Sequence, residues 1–558
     1  MCDTTLFLAD VASLERAISL FDTFSEFSGL RLNIDKTEII PLGGLQLKSW
    51  CLNKKLKKIK PNYKPFKTLG IWFSHNQSEM VDLNFIEKLK SIKQIANIWS
   101  SRCLSWKGKI TIVKSHLISQ INHLLSILYI PDVILKELDS VLFKFLWNKK
   151  PARIKRSSII ANTENGGLKM PDIYSIHKVT KITWIKRLLN EEDKNWKYLE
   201  WKLLNIAPHQ IVRKLDEKSS NAALTNFHKQ LLQIWFSVFS TAPITTKEIL
   251  DEFLFENKFI TFGNKPLMPF NLKQTTGYNL KIRNIITDNG TLLSKDTLNL
   301  NLNWSIERME YNILTSSIPK SWIKTLKSNG NCYSIKACAD ETLPYLRTNT
   351  ILKPINLLKT KDIYWEFINK LSEPITSLDT WIEIYPFLEN IDWKGVFLLP
   401  YKIVREPYIQ TFQYKILNRT LNCNGNLYKW KIKQSPNCYF CNHYDTLEHH
   451  LFHCDESALF WKKLENWIFE ILKAKFNFTV CEILLGINNL SGDLLLVNFL
   501  IILGKLYLNN KKSSESSVLF FEFLFLLKDK LETLRVVYSL QGHQENFWET
   551  FGQLLVEL

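Results

Sequence analysis

The chain has 558 residues, 46% of them hydrophobic and 13% aromatic. That is enough for roughly three to five domains with real cores, and it excludes a disordered chain. A formal net charge of +18 exceeds what solubility needs and favours a polyanionic partner, against the plainer reading of a lysine-rich surface.

The first seventy residues alternate strand and helix signals. Thr4 to Leu8 is short and β-prone. Ser13 is placed to cap a helix that runs to about Phe27, with Leu14, Ala17, Ile18, Phe21 and Phe24 on one face, and Ser28-Gly29 stops it. Leu32 to Ile40 and Lys67 to Phe73 are further strand candidates.

From about Leu83 the pattern turns helical. Ile110, Val113, Leu117, Ile121, Leu124 and Leu128 form an apolar stripe at helical spacing, and Pro131 ends that helix. Leu135 to Trp147 reads as the next helix. Asn165-Gly166-Gly167 reads as a tight turn or hairpin, and Ile173 to Asn190 as helix again. Between about 191 and 390, weak helices alternate with polar loops such as Thr287 to Asn303. After Pro407 a helix carries Phe412, Ile416 and Leu417. Amphipathic helices such as Ala458–Leu472 and Val518–Val537 fill the rest. The apolar runs Leu494–Leu503 and Val518–Leu527 are shorter than the ~20 residues of a spanning helix and read as buried helices.

Cys438, Cys441, His449 and Cys454 stand in a C-x2-C-x7-H-x4-C pattern. Two cysteines two residues apart make a tight knuckle, and the later His and Cys complete a tetrahedral Cys3His set suited to structural zinc. Such a metal contributes ~10–16 kcal/mol of apparent folding free energy at neutral pH. His449 is the preferred nitrogen ligand, with His450 and His453 open alternatives and His443 also in the window. The remaining cysteines (Cys2, Cys51, Cys103, Cys332, Cys338, Cys423, Cys481) form no regular framework, which fits a reducing, intracellular setting, nuclear or cytoplasmic. Met1-Cys2-Asp3 does not begin a secretory signal, so secretion is not expected.

Two basic segments are candidates for phosphate contact. The lysine run from Lys54 to Lys60 reads first as a solvated loop, with backbone tracking or nuclear import as the alternative. Lys149, Lys150, Arg153, Lys155 and Arg156 follow a helix end, and their arginines suit phosphate. Lys107 and Lys109 flank Trp106, which either stacks on a template strand or anchors a core. Trp430, Trp461 and Trp467 pose the same choice; the last two cannot share one helix face.

The ordered blocks of this chain resemble the reverse transcriptase of LINE-type (non-LTR) retrotransposons. Met1-Cys2-Asp3-Thr4 resembles the catalytic turn, which in that family reads Tyr or Phe, Ala, Asp, Asp; Asp3 matches the second Asp and Cys2 replaces the first. Phe27 to Asn33 with Lys36-Thr37-Glu38 resembles the next block, and Phe66 to Ile71 the primer-grip hairpin. Leu104 to Lys109 looks like the thumb. Phe145 to Asn148, Pro151 to Ile154 and Gly166 to Asp172 look like the segment after it. Phe412 to Leu417 and Cys438 to Cys454 resemble the family's C-terminal zinc-binding region, with Asp445-Thr446 where Glu-Thr is usual. The resemblance covers about residues 1–190 and 393–540.

The resemblance implies a mainly α chain with a small α/β palm remnant. The expected parts are a truncated palm (1–75), a helical thumb and post-thumb segment (76–190), a helical connector (191–390), a zinc-binding region (391–480) and C-terminal helices (481–558). It implies magnesium, but the site is incomplete: a thiol at Cys2 is a poor ligand for a hard cation, and two-metal phosphoryl transfer needs several carboxylates. Asp3 is then vestigial, and the expected role is RNA binding, with DNA a further partner, without catalysis and without a membrane or small-molecule substrate. Two alternatives stand beside it: an RNA-directed DNA polymerase whose N-terminal part lies upstream of Met1, and a domesticated or non-functional remnant acting only in interactions.

Overall fold

In the computed structural model, residues 5–41, 62–189, 195–204, 224–239, 243–255, 257–269, 280–302, 304–328, 345–347, 352–354, 357–487 and 493–558 are described. Cys2, Asp3 and the run Lys54 to Lys60 lie outside them, as does Asn190. Among the described residues the structure is mostly helical with few strands, in keeping with the mainly α expectation. It separates into two compact units, residues 1–87 and 88–558.

In the first unit, helix α1 (Val11–Ser28) starts one turn earlier than Ser13 suggested. The Asp10 carboxylate accepts the Ser13 N–H at 2.7 Å, so Asp10 is the cap. Gly29, at φ 69°, closes the helix by donating to the Ser25 carbonyl. Ile18 is buried, whereas Phe24, expected on the same face, is exposed. Strands β1 (Phe66–Thr68) and β2 (Ile71–Phe73) pair antiparallel, Thr68 opposite Ile71. Leu69 and Gly70, both at positive φ, make the two-residue turn. Asn84 clamps this hairpin, accepting from the Trp72 N–H and donating to its carbonyl. The single strand expected over Lys67 to Phe73 is thus two short strands folded back at Leu69-Gly70, and the other two strand expectations fail among the described residues. Residues 5–8 form no strand, and Leu32 to Ile40 holds a 3-10 turn, Ile34–Lys36, capped by Asn33. Asn33 competes for the backbone there and breaks the extended run.

In the second unit all six residues of the apolar stripe are buried, but one long helix does not carry them. Helix α2 (Trp106–Ile112) passes into a wide turn, Val113–Leu117, a tight turn, Ile118–Gln120, and a short helix, Asn122–Ile127. The hydroxyls of Thr111, Ser115 and Ser119 each donate to the carbonyl four residues back, which loosens and bends a helix. Helix α3 (Asp132–Leu146) begins directly after Pro131, three residues before the expected start. Asn165-Gly166-Gly167 is a turn but not a hairpin: Thr163–Asn165 is a 3-10 turn closed by Gly166 at φ 76°. A Cβ on Gly167 would lie 2.0 Å from the Ala161 carbonyl oxygen, so the close approach needs glycine.

Helix α4 (Ile173–Leu189) packs against α5 (Asn226–Phe239) and α6 (Thr360–Leu371), sharing a core of Ile182, Ile185, Leu232, Trp235 and Ile363. One core therefore runs across residue 190. A separate core gathers Leu250, Phe255, Ile285, Leu314 and Trp322. It includes Leu298, on a helix (Lys295–Leu302) inside the stretch expected as loop.

The largest core unites the C-terminal third. Helices α7 (Trp393–Ile403), α8 (Pro407–Leu417), α9 (Asn424–Lys429), α10 (Asp455–Leu472), α11 (Val480–Leu485), α12 (Asp493–Ser513), α13 (Phe520–Leu540) and α14 (Gln544–Val556) follow in order. Phe412, Leu451, Trp461, Leu500, Phe523 and Phe551 meet in it. Helix α12 extends well beyond its ten-residue apolar run. It is long and apolar enough to cross a membrane, yet 72% of that window is buried inside the protein. Lys505 lies in its middle, donating to Gln413 Oε1 and the Leu484 carbonyl. Burial pulls its pKa down to about 7.

Candidate metal centre

The knuckle is built by short-range backbone geometry. Asn437 and Tyr444 form an isolated antiparallel bridge, the Cys438 N–H donates to the His443 carbonyl, and Asn442 donates to the Cys438 carbonyl. Asn442, at φ 56°, supplies the left-handed residue that turns the chain back. A Cβ at Gly425 would meet the Asp445 carbonyl at 2.7 Å, so α9 abuts the knuckle only because that residue is glycine.

His449 and Cys454 are five residues apart, a poor match to an α-helical turn. The chain resolves this with one π-helical turn, His449–His453, in which the Cys454 N–H donates to the His449 carbonyl at 3.0 Å. An i to i+5 bond stacks residues five apart, so both side chains reach the knuckle. Cys454 then leads directly into α10.

The ligand atoms of Cys438, Cys441, His449 and Cys454 all lie within 4.8 Å of one another. Cys438 and Cys454 sulfurs are 3.8 Å apart, Cys441 and Cys454 4.0 Å, and Cys441 Sγ is 3.1 Å from His449 Nε2. A tetrahedron with metal–sulfur bonds of 2.3 Å has edges of about 3.8 Å, so the donor set fits zinc. Among the described residues no other group of three or more His, Cys, Asp or Glu donors comes close enough to share an ion.

Electrostatics prepare the set for a cation. The hydrogen bond from Cys438 pulls the Cys454 thiol down, with the Lys512 ammonium in support, while the same bond and burial push Cys438 up. The pair thus holds one thiolate readily, and metal binding releases the remaining thiol protons. Burial lowers His449, favouring the neutral imidazole that ligates metal.

The other histidines of the window are placed elsewhere. His453 and His443 are exposed. His450 is buried but turned away, its Nδ1 3.1 Å from Asp445 Oδ2. That carboxylate also accepts the Asn424 N–H at 2.7 Å. Burial raises its pKa, but the His450 bond and charge and the Asn424 bond outweigh this and hold it low. Arg419 pairs with Glu448 at 2.6 Å and lies over Trp381, tying the turn to the core. Asp445, Arg419 and Lys512 were not legible as site residues: their partners are set by packing, and Lys512 arrives from α12.

The basic candidates divide. Lys109 is buried, and its ammonium donates to the carbonyls of Phe145 and Leu146 and to Asn148 Oδ1, closing the end of α3. Desolvation brings its pKa down to about 8. The ammonium is therefore held inside the fold rather than presented to solvent. Lys107 is half-buried, bonded to Gln410 and 4.6 Å over the Tyr401 ring. Trp106 packs edge-on to Trp147 and Tyr414, so its role is an anchor. Trp461 is likewise core, its indole donating to the Leu451 carbonyl. Arg153 stacks 4.1 Å over Trp430 and donates to Asn422, Arg156 pairs with Asp139, and Lys155 pairs with Glu373 at 3.4 Å. Lys149 and Lys150 are exposed at the turn after α3.

Residues 390–461, which contain all four ligand candidates, match the family described as zinc-binding in reverse transcriptase. A putative ribonuclease H protein of Arabidopsis thaliana is 29% identical over 143 residues, 24% of this chain and 23% of that protein. The chain therefore spans about a quarter of the length of this curated relative. It carries a zinc-binding domain of the reverse-transcriptase type.

Proposed function

We propose that this chain is a nucleic-acid-binding part of a LINE-type reverse-transcriptase protein, with RNA as its first ligand and no polymerase activity of its own. The observation that carries the reading is the Cys3His cluster of Cys438, Cys441, His449 and Cys454, which lies inside a segment matching a reverse-transcriptase zinc-binding family. The net charge of +18 supports a polyanionic ligand. The donor set is sulfur-rich, and sulfur suits structural zinc rather than the magnesium of phosphoryl transfer. In the sequence Cys2 stands beside Asp3, and a thiol is a poor ligand for the hard cations of two-metal chemistry. Cys438, Cys441, His449 and Cys454 would hold zinc, which would order the surface around them. Lys149 and Lys150 are the basic candidates best presented for phosphate, and an intracellular setting suits the free thiols.

The test is a filter-binding titration of the zinc-loaded chain with a structured RNA at several salt concentrations. Expected is affinity that falls steeply with salt, as counterion release requires. Absent or salt-insensitive binding overturns the reading. A primer-extension assay with magnesium should show no product; extension would instead favour the polymerase alternative.

A further inference from the structure

Helix α13 (Phe520–Leu540) has two faces of different kinds. One carries Phe523, Leu527, Leu531 and Leu534, all buried in the C-terminal core. The opposite face follows the helical spacing Phe521, Phe525, Glu532, Val536 and Leu540. Its four apolar side chains stand in the open, with Phe521 56%, Phe525 70%, Val536 53% and Leu540 83% exposed. Phe521 and Phe525 rest edge-on, their ring centroids 6.5 Å apart. Large apolar groups gathered on one exposed stripe mark an interaction surface.

The order of residues along the stripe points to what covers it. An apolar patch stands at each end, and a polar band of Lys528, Asp529, Glu532 and Arg535, balanced in charge, parts them. Phe525 and Val536 lie ~17 Å apart along the axis at the helical rise. Such a band disfavours a lipid surface, which takes a continuous apolar face. A second copy of the same helix, laid antiparallel, answers both parts. A two-fold axis between Lys530 and Leu531 sets Phe521 opposite the partner's Leu540 and Phe525 opposite the partner's Val536. Each contact then occurs twice. On one flank of that pairing Lys528 comes level, to within ~1.5 Å along the axis, with the partner's Glu532. Within the chain Lys528 donates to the Leu558 carbonyl and Glu532 pairs with Arg535, yet both keep exposed surface for a further charge. A shift of one turn in either direction sets an apolar side chain on an acid, Phe525 on the partner's Glu532 or Val536 on the partner's Asp529. The stripe therefore specifies its own register.

We propose that the chain forms a two-fold dimer through antiparallel pairing of α13. Two helices about 30 Å long bury on the order of 1,000 Å² in total, the lower end for a specific interface. The dimer is accordingly a weak one. It needs no nucleic acid and stands apart from the reading above.

The experiment is sedimentation equilibrium of the zinc-loaded, nucleic-acid-free full chain from about 1 to 100 µM, bracketing a dissociation constant on the order of 10 µM. The mass should rise from that of one chain toward that of two. Phe525→Asp buries an unpaired charge in the interface and should leave one chain throughout. Lys528→Glu and Glu532→Lys should each weaken association roughly fivefold or more, because like charges then meet twice, and the double exchange should restore the parent value within about twofold. All these positions are exposed, so the melting temperature should stay close to that of the parent. A single-chain mass up to the highest concentration overturns the proposal, as does a dimer indifferent to Phe525→Asp or a double exchange no better than the single ones. A chain that stays single and floats with phosphatidylcholine–phosphatidylserine vesicles overturns it in favour of a lipid surface.

Discussion

His450 Nδ1 lies 3.1 Å from Asp445 Oδ2, and both side chains are buried. That pair removes His450 from the competition for the metal and leaves His449, one residue earlier, with its Nε2 against Cys441. Adjacent histidines on one turn point to different sides, so engaging one with a carboxylate assigns the other to the knuckle.

Metal content should therefore follow His449. His449→Ala and Cys441→Ser are expected to bring zinc well below one per chain and to lower the unfolding temperature sharply, given the ~10–16 kcal/mol that structural zinc contributes in small modules. His453→Ala, at an exposed position, should keep its zinc. Elemental analysis of purified variants decides; zinc retained in His449→Ala would reassign the ligand.

Asp445→Asn should destabilise the zinc-binding region by about 2–3 kcal/mol at pH 7, because His450 loses a charged partner in a buried place. The carboxyl is held low in the folded state. Its contribution is therefore complete above the ordinary carboxylate range and is lost only as pH falls through the lower folded value. Denaturant titrations at pH 7 and pH 5.5 should give the same gap between variant and parent; a gap that closes by pH 5.5 would contradict the assignment.

The buried lysines predict a rise of stability with pH in a higher window. Burial pulls Lys181 and Lys505 down to about 7, so between pH 7 and 9 the unfolded chain binds more protons than the folded one. Stability should rise with pH over that window, by at most about 1.4 kcal/mol per pH unit for each lysine. Lys505→Met should flatten the rise measured by urea unfolding; an unchanged slope would mean that Lys505 stays protonated in the fold.

Lys109 and Lys150 should separate stability from binding. Lys109→Met strands the carbonyl acceptors at the end of α3 and is expected to cost about 2–3 kcal/mol with little change in RNA affinity. The double change Lys149→Glu, Lys150→Glu should leave the melting temperature within about a degree, since surface substitutions are usually near neutral. It should weaken RNA binding and reduce its salt slope by about 0.7 for each single-strand phosphate that the chain no longer neutralises. The reverse pattern would return Lys109 to the binding surface.

Gly167→Ala tests the turn that precedes α4. Its Cβ would stand 2.0 Å from a backbone oxygen, so the turn must move, and a loss of about 2–3 kcal/mol or more is expected. A melting temperature equal to that of the parent would show that the approach is not tight.

Features under the control of local spacing were legible in the order of residues. The Cys438–Cys441 knuckle, the inward positions Ile110 to Leu128, the strand that ends the Leu69-Gly70 hairpin and most of the long helices are of this kind. Each depends on residues within a turn or two of one another. Legibility failed where neighbours compete: Asn33 broke an expected strand, and Thr111, Ser115 and Ser119 broke an expected helix through bonds to their own backbone. Which histidine faces the sulfurs was settled by packing, because Asp445 had to be brought onto His450. Packing also made Lys109 a strut and Trp106 an anchor, and it set Lys512 beside the Cys454 thiol of the metal centre. A lysine reads the same in sequence whether it meets water, a carbonyl or a thiolate. Its environment comes from helices distant in the chain that pack together to bury apolar surface, and that packing sets its charge, its partners and its use.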